Sequence, residues 1–291
     1  MICSSAATRQ NGSAGHESVG AAAGGSGFVC HRSGPDRTSC ATAESCFYGI
    51  PRQPPADLNG PLDRDHLDHR RRKQRTGPRR TQRFADRGDT VLITSRTTAH
   101  ADTVAGEIGG LTRGLAVDLS RPEMIAAALD DVREVDNLVI TAIKQGVNSL
   151  ADFDIAAAIE SVTTKLVGYT ETVRALRDRF TPGASVVLFG GLAKERPYPG
   201  STMVTACNGG ITGLVKTLAV EIAPHRINAI HPGVVGDSAK WLDAPEHPHL
   251  ARAPIGRLVT TAEVVDATDF VLRNTGVNAL DLFVDGGLRV T

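Results

Sequence analysis

The sequence predicts an α/β protein built on a doubly wound parallel sheet, with a missing or malformed first strand behind a disordered N-terminal segment. Three observations carry that expectation. From about residue 83 onward, short continuous apolar runs alternate with helical stretches of ten or more residues, the pattern of a parallel sheet covered on both faces. The first 82 residues hold only 11 large apolar side chains (Ile, Leu, Val, Met, Phe, Trp, Tyr), too few to offset the entropy of ordering them. Where the first strand of the alternation belongs, just before Arg83, the chain reads Asp63-Arg-Asp-His-Leu-Asp-His-Arg-Arg-Arg-Lys-Gln-Arg-Thr-Gly-Pro-Arg-Arg-Thr-Gln82, with one glycine and no apolar strand. The chain therefore divides into a low-complexity segment, 1–82, and a folded domain, 83–291.

The elements of the domain follow in order. Thr90-Val-Leu-Ile-Thr-Ser95 is a β-branched strand, followed by a helical stretch near 99–109 and a second strand at Leu115-Ala-Val-Asp118. Ser120, Pro122 and Glu123 mark the start of a helix over 122–133, since a short polar cap, an early proline and a first-turn acid all suit a helix N-terminus. Asn137-Leu-Val-Ile-Thr141 is the next strand, and Ile155–Phe180 carries one long amphipathic helix. Pro182-Gly183 breaks the chain before the strand Ser185-Val-Val-Leu-Phe189. A long helix covers Thr202–Ala223, then come the strand Arg226-Ile-Asn-Ala-Ile230, a turn at Pro232-Gly233, a helix near 261–273 and a last strand, Ala279-Leu-Asp-Leu-Phe-Val284.

Charge and composition exclude several function classes. The 32 basic and 32 acidic residues sum to zero, but segment 1–82 carries 12 against 7 and the remainder 20 against 25. The Arg-rich run Arg70–Arg80 lacks the interleaved aromatics of a nucleic-acid arm, so no nucleic acid is expected. No purely apolar run approaches the roughly 20 residues of a membrane helix, and the opening residues lack the charged and apolar regions of a secretory leader. A soluble, cytoplasmic protein without a membrane partner is the expectation. Four of the five cysteines (Cys3, Cys30, Cys40, Cys46) lie in the first segment with spacings that fit no zinc or disulfide framework, so no metal is expected.

Several signals in order then resemble one family. Arg83-Phe-Ala-Asp-Arg-Gly88 looks like the end of a first helix, and Ser95-Arg96 closes a second strand. Asp118-Leu119-Ser120 looks like an acidic turn beside adenine, and Gly213-Leu-Val-Lys-Thr-Leu-Ala-Val-Glu221 like the helix that follows the catalytic motif. Asn228-Ala-Ile-His-Pro-Gly233 and Val284-Asp-Gly-Gly287 complete the set. From Arg83 to Thr291 the chain resembles the short-chain dehydrogenase/reductase family, which implies a Rossmann-like fold and an NAD(P)-dependent oxidoreductase acting on a small carbonyl or alcohol. The resemblance also implies a homodimer or homotetramer that pairs the helices at 155–180 and 202–223. It places the cofactor on Ser95, Arg96, Asp118, Leu119, Thr141, Ala142, Pro232, Gly233 and Val235. Arg96 stands where a 2′-phosphate would sit, with no carboxylate in that turn to accept a ribose hydroxyl, so NADP(H) is expected over NAD(H). A solvated arginine and a capping aspartate are the plain alternatives for Arg96 and Asp118.

The family's chemistry is not matched residue for residue. Its Tyr position falls at Val204, its Lys position at Asn208, its Ser position at Gly190-Gly191 and its helix Asn at Lys165. Tyr198, six residues before the expected position, is the candidate displaced acid, with Lys165 as the cation that lowers its pKa. A packing role for Tyr198 and a turn role for His231 remain alternatives. The chain looks like an atypical branch without the Ser-Tyr-Lys set, and a Rossmann-fold scaffold without hydride chemistry is the second reading.

The front of the domain lacks the glycine-rich turn that opens a helix under a pyrophosphate. The same stretch read one nucleotide forward, with arginine as CGN, supplies it. Codons exist for which His69 to Gly77 becomes Thr-Gly-Gly-Gly-Ser-Ser-Gly-Leu-Gly. Asp63 to Asp68 becomes a run that can hold Ile, Thr, Val and Leu, and Pro78 to Thr81 permits Leu, Ala, Val and Leu, leading into Gln82-Arg83-Phe84. Residues before about Gln82 are then out-of-frame text. Sequencing the locus with its transcript, alongside tryptic peptides of the native protein, checks this. Peptides of the shifted reading are expected, and recovery of peptides from the written 1–82 overturns it.

Overall fold

A computed structural model describes the backbone of residues 28–32 and all atoms of 84–86, 88–142, 148–238, 241 and 247–291. Among these, the apolar runs become strands of one sheet. The strands are β1 Phe28–Arg32, β2 Thr90–Ser95, β3 Leu111–Ala116, β4 Val135–Ile140, β5 Phe180–Phe189, β6 Arg226–Pro232 and β7 Asp281–Val284. Their spatial order is β3-β2-β1-β4-β5-β6-β7. Parallel pairing joins β2 to β3 and links β4, β5, β6 and β7 in succession. The helices are α1 Thr98–Ile108, α2 Pro122–Ala128, α3 Ile155–Val162, α4 Gly168–Leu176, α5 Thr202–Glu221 and α6 Thr261–Arg273. Leu92, Ile93, Leu138, Ile140, Val186, Leu188, Ile227 and Ile230 are fully buried, as a sheet covered on both faces requires.

Of the two expectations for the first strand, missing or malformed, the second matches the strand found there. The central place between β2 and β4 is filled, but by Phe28–Arg32 and in the reverse direction. Val29 pairs with Ile93 on one side and Val139 on the other, and Cys30 with Leu92 and Leu138, both antiparallel. The physical reason is the pairing demand of the two neighbours. An unfilled gap would leave the facing N–H and C=O groups of β2 and β4 buried without partners, at a cost of about 1–3 kcal/mol each. Phe28-Val-Cys is one of the few apolar runs before Asp63. It meets the demand antiparallel to both neighbours. The segment expected to be disordered thus supplies a strand. The rest of it, including Asp63–Gln82 and the Arg70–Arg80 run, lies outside the described residues.

Other boundaries move for local reasons. β5 runs straight through Pro182-Gly183, where a break was expected. The register slips between the pairs Val135–Phe180 and Asn137–Ser185, so Pro182 and Gly183 sit exposed in the irregularity, where a proline's missing N–H is tolerated. β3 begins at Leu111 rather than Leu115, because an edge strand with Arg113 and Gly114 does not read as an apolar run. The single helix expected over 155–180 is two helices joined by a π-helical turn, Thr163–Val167. α5 is long and apolar enough to cross a bilayer by length and composition. It is interrupted by Asn208 and Lys216, and its buried stripe, Cys207, Asn208, Ile211, Val215 and Leu218, packs inside the domain.

Val29, Cys30 and His31 each pair on both sides, with Cys30 at the middle of the strand. Cys30→Pro removes a ladder N–H from a central strand, so a loss of roughly 3 kcal/mol or more is expected in urea unfolding of the chain as written. Unchanged stability would mean that Phe28–Arg32 does not occupy the gap.

Candidate active site

The carboxyl ends of β2, β4, β5 and β6 meet along one edge of the sheet, the place where doubly wound folds bind ligands. β2 ends in buried Ser95, and Arg96 stands exposed just beyond it. Thr97 caps α1 by accepting from the His100 N–H at 3.4 Å. Asp118 accepts from the backbone N–H of Ser120 at 3.0 Å and from its hydroxyl at 2.7 Å, so this carboxylate holds the turn before α2 and makes no cap bond to the helix itself. Leu119 behind it is fully buried. At the end of β4, Thr141 and Ala142 are buried, and the hydroxyl of Tyr169 on α4 donates to the Ala142 carbonyl at 2.5 Å. Sequence reading gave no role to Tyr169. Its only signal was a polar aromatic on the inner stripe of a long helix.

Pro232 ends β6, and the Gly233 N–H donates to the Val284 carbonyl at 2.9 Å. Val235 is buried and bridges to Val259. This turn is therefore tied into the fold by its own backbone.

The residues at the tetrad positions form a different constellation. Lys165 lies in the π-helical turn, a distortion that often marks function, and is 3% exposed. Its ammonium donates to Asn208 Oδ1 at 2.9 Å and to the Gly190 carbonyl at 3.3 Å. Burial lowers its pKa to about 8, against a smaller upward pull from Cys207. The position that resembles the family's Asn holds Lys165, the position that resembles its Lys holds Asn208, and the two still bond each other. The signal was in the sequence, but it emerges only when the two substitutions are read as one pair.

The glycines at the Ser position are equally tied to neighbours. A Cβ on Gly190 would lie 2.1 Å from His231 Nδ1, and one on Gly191 would lie 2.8 Å from Asn208 Nδ2. The Gly191 N–H donates to His231 Nδ1 at 3.1 Å. His231, fully buried, shares its Nε2 with Asp281 Oδ1 at 2.7 Å. Since Nδ1 accepts, the proton sits on Nε2 and points at the carboxylate. Burial pushes the His231 pKa down, against an upward pull from Asp281. Asp281 is held further by Lys194 at 3.3 Å and Thr212 at 3.2 Å.

Tyr198 stands apart from this group. It is 54% exposed, its N–H donates to Ser201 Oγ at 3.0 Å, and burial raises its phenol pKa. The hydrogen bonds of Lys165 run to Gly190 and Asn208 and do not reach it. Val204, at the Tyr position, is partly buried and offers no titratable proton.

The described residues fit a dinucleotide unevenly. Ser95, Arg96, Asp118 and Thr141 give the adenosine end a polar rim with one exposed cation at the ends of adjacent strands. The pyrophosphate end does not fit. Its cradle leaves the carboxyl end of the central strand in such folds. Here Phe28 pairs with Ile140 at the ligand edge while Arg32 pairs with Thr90 at the far one, so the chain leaves that strand on the wrong side.

Comparisons with known proteins agree with this architecture. Residues 77–289 match the family described as enoyl-(acyl carrier protein) reductase. A 3-oxoacyl-[acyl-carrier-protein] reductase of Mus musculus is 28% identical over 220 residues, covering 72% of this chain and 92% of that protein. An L-xylulose reductase of Mesocricetus auratus is 31% identical over 220 residues, covering 70% and 88%. Among solved structures, a betaketoacyl-ACP reductase aligns with a TM-score of 0.61 and 25% identity over 68% of this chain and 87% of that one. A small-chain dehydrogenase in complex with NADPH aligns with a TM-score of 0.57 and 22% identity, covering 62% and 88%, a likeness of fold. With the strand order, the adenosine-side rim and a match over most of the folded domain, the chain belongs to the short-chain dehydrogenase/reductase family of oxidoreductases, in the group described as enoyl-(acyl carrier protein) reductase.

Proposed function

We propose that this protein is an NADP(H)-dependent reductase of small carbonyl compounds in which Lys165, rather than a tyrosine, holds the proton. The single observation behind this reading is the buried ammonium of Lys165, fixed by Asn208 and the Gly190 carbonyl at the end of β5. A bound dinucleotide would supply the hydride, and the alkoxide left on the carbonyl substrate would need a proton from the protein. With a pKa of about 8, Lys165 is protonated roughly ten to one at pH 7, so it can supply that proton and refill from solvent. Two of its three N–H donors are committed, which orients the third. Tyr198 is a rim residue in this reading. Arg96 favours the 2′-phosphate of NADP(H), and the reductases among the relatives support a carbonyl substrate.

The missing cradle assigns cofactor binding to the frame-restored chain, in which a parallel first strand and the glycine turn replace the written 63–81. Exposed Ile155, Ile159 and Val220 on α3 and α5 support a homodimer or homotetramer joined through those helices, in the cytoplasm where NADPH is abundant.

Titration of NADPH fluorescence compares the two forms. The frame-restored chain is expected to bind and the chain as written to bind at least about tenfold more weakly, because it lacks the phosphate-facing amides. In the restored chain, Lys165→Met is expected to lower kcat by about 10²-fold or more, and Tyr198→Phe by only a few fold. The reverse result moves the acid to Tyr198, and no binding in either form leaves a scaffold.

A further inference from the structure

The carbonyl that receives Lys165 and the N–H that reaches His231 belong to one peptide unit, the link between Gly190 and Gly191. One amide is therefore gripped from both ends. Lys165 donates to its oxygen at 3.3 Å and its N–H donates to His231 Nδ1 at 3.1 Å. Beyond His231 the chain of bonds continues through Nε2 to Asp281, and from Asp281 to Thr212 and Lys194. On the near side it continues from Lys165 to Asn208. The path crosses α5, the turn after β5, β6 and β7, and both glycines are needed for its close approaches.

We infer that His231 and Asp281 are positioning residues that set the charge state of Lys165 through the Gly190–Gly191 peptide. Each bond in such a series polarises the next in a buried setting. The Asp281 carboxylate draws on the His231 Nε2–H, which enriches Nδ1. The enriched Nδ1 draws on the Gly191 N–H, and the Gly190 oxygen becomes a better acceptor for an ammonium. The effect opposes burial, which pulls Lys165 down. It keeps Lys165 protonated near neutral pH, where a proton donor is useful. The device also has an acid limit. A proton added at His231 Nδ1 meets the Gly191 N–H head-on, so protonation of His231 breaks the series.

The charged and titratable groups facing this path are Cys207 on α5 beside Lys165, and Asp281 and Lys194 beside His231. Cys207 is raised by burial and so is a neutral thiol near pH 7. Lys194 sits against Asp281 at 3.3 Å and opposes protonation of His231. A purely through-space effect would depend on Asp281 and Lys194 and not on the neutral imidazole between them.

This inference rests on Lys165 as the proton-holding group, but its test needs neither cofactor nor turnover. In protein labelled with 15N-lysine, the Lys165 Nζ resonance, assigned by its loss in Lys165→Met, is titrated between pH 6 and 11. His231→Leu removes the acceptor and leaves every formal charge in place. It is expected to raise the Lys165 proton dissociation constant by roughly threefold. His231→Gln, whose amide can accept from Gly191 and donate to Asp281, is expected to return the midpoint to that of the unaltered protein. His231→Phe, which fills the same buried space and likewise offers the Gly191 N–H no acceptor, is expected to shift it in the same direction and serves if the leucine variant does not fold. An unchanged midpoint in the apolar variant, or an equal shift in the glutamine variant, overturns the inference.

Discussion

The facing edges of β2 and β4 impose the constraint on which the sheet depends. Both strands are buried on both faces, so their backbone groups have no solvent to turn to and must find a third strand between them. A parallel strand leading into the glycine-rich turn is the solution that also makes a phosphate site. The written sequence has no such strand, and Phe28–Arg32 satisfies the same hydrogen bonds in the opposite sense. The sheet is completed while the ligand edge is changed, because a reversed strand turns its carboxyl end to the other side.

The site near Lys165 shows how substitution at several positions can preserve a bonded group. Lys165 and Asn208 keep the contact of an exchanged pair, and the loss of a side chain at Gly190 and Gly191 gives His231 and Asn208 their places beside one peptide. None of these changes stands alone. A serine at 190 would collide with the imidazole, and a lysine at 208 would face Lys165 with like charge in a buried space. The result is one buried group bonded around the Gly190–Gly191 peptide.

Much of the fold was legible in the sequence, and the rest failed for identifiable reasons. β2, β4 and β5 each carry a short continuous apolar run (Val91–Ile93, Leu138–Ile140 and Val186–Phe189), because two-sided burial leaves no polar face there, and such runs announce themselves. β3 was misplaced by four residues because an edge strand with Arg113 and Gly114 has no such signature. Pro182 and Gly183 carry a strong breaker signal that a register slip absorbs. The π-helical turn that presents Lys165 has no sequence pattern of its own. At the site, the cofactor edge could be named from strand ends, but the His231–peptide–Lys165 series could not. It joins residues 25 to 50 positions apart, and its key acceptor and donor are backbone atoms that every residue type shares.

Strand direction at the centre of the sheet is the most direct test of this account, since both the stability of the written chain and the displacement of the phosphate cradle follow from it. Antiparallel partners bring α-protons of facing residues close together, and parallel partners do not. In an NMR spectrum of the chain as written, α-proton contacts are predicted from Phe28–Arg32 to Thr90–Ser95 on one side and to 137–140 on the other. Absence of those contacts, or a parallel pattern in their place, would contradict the account.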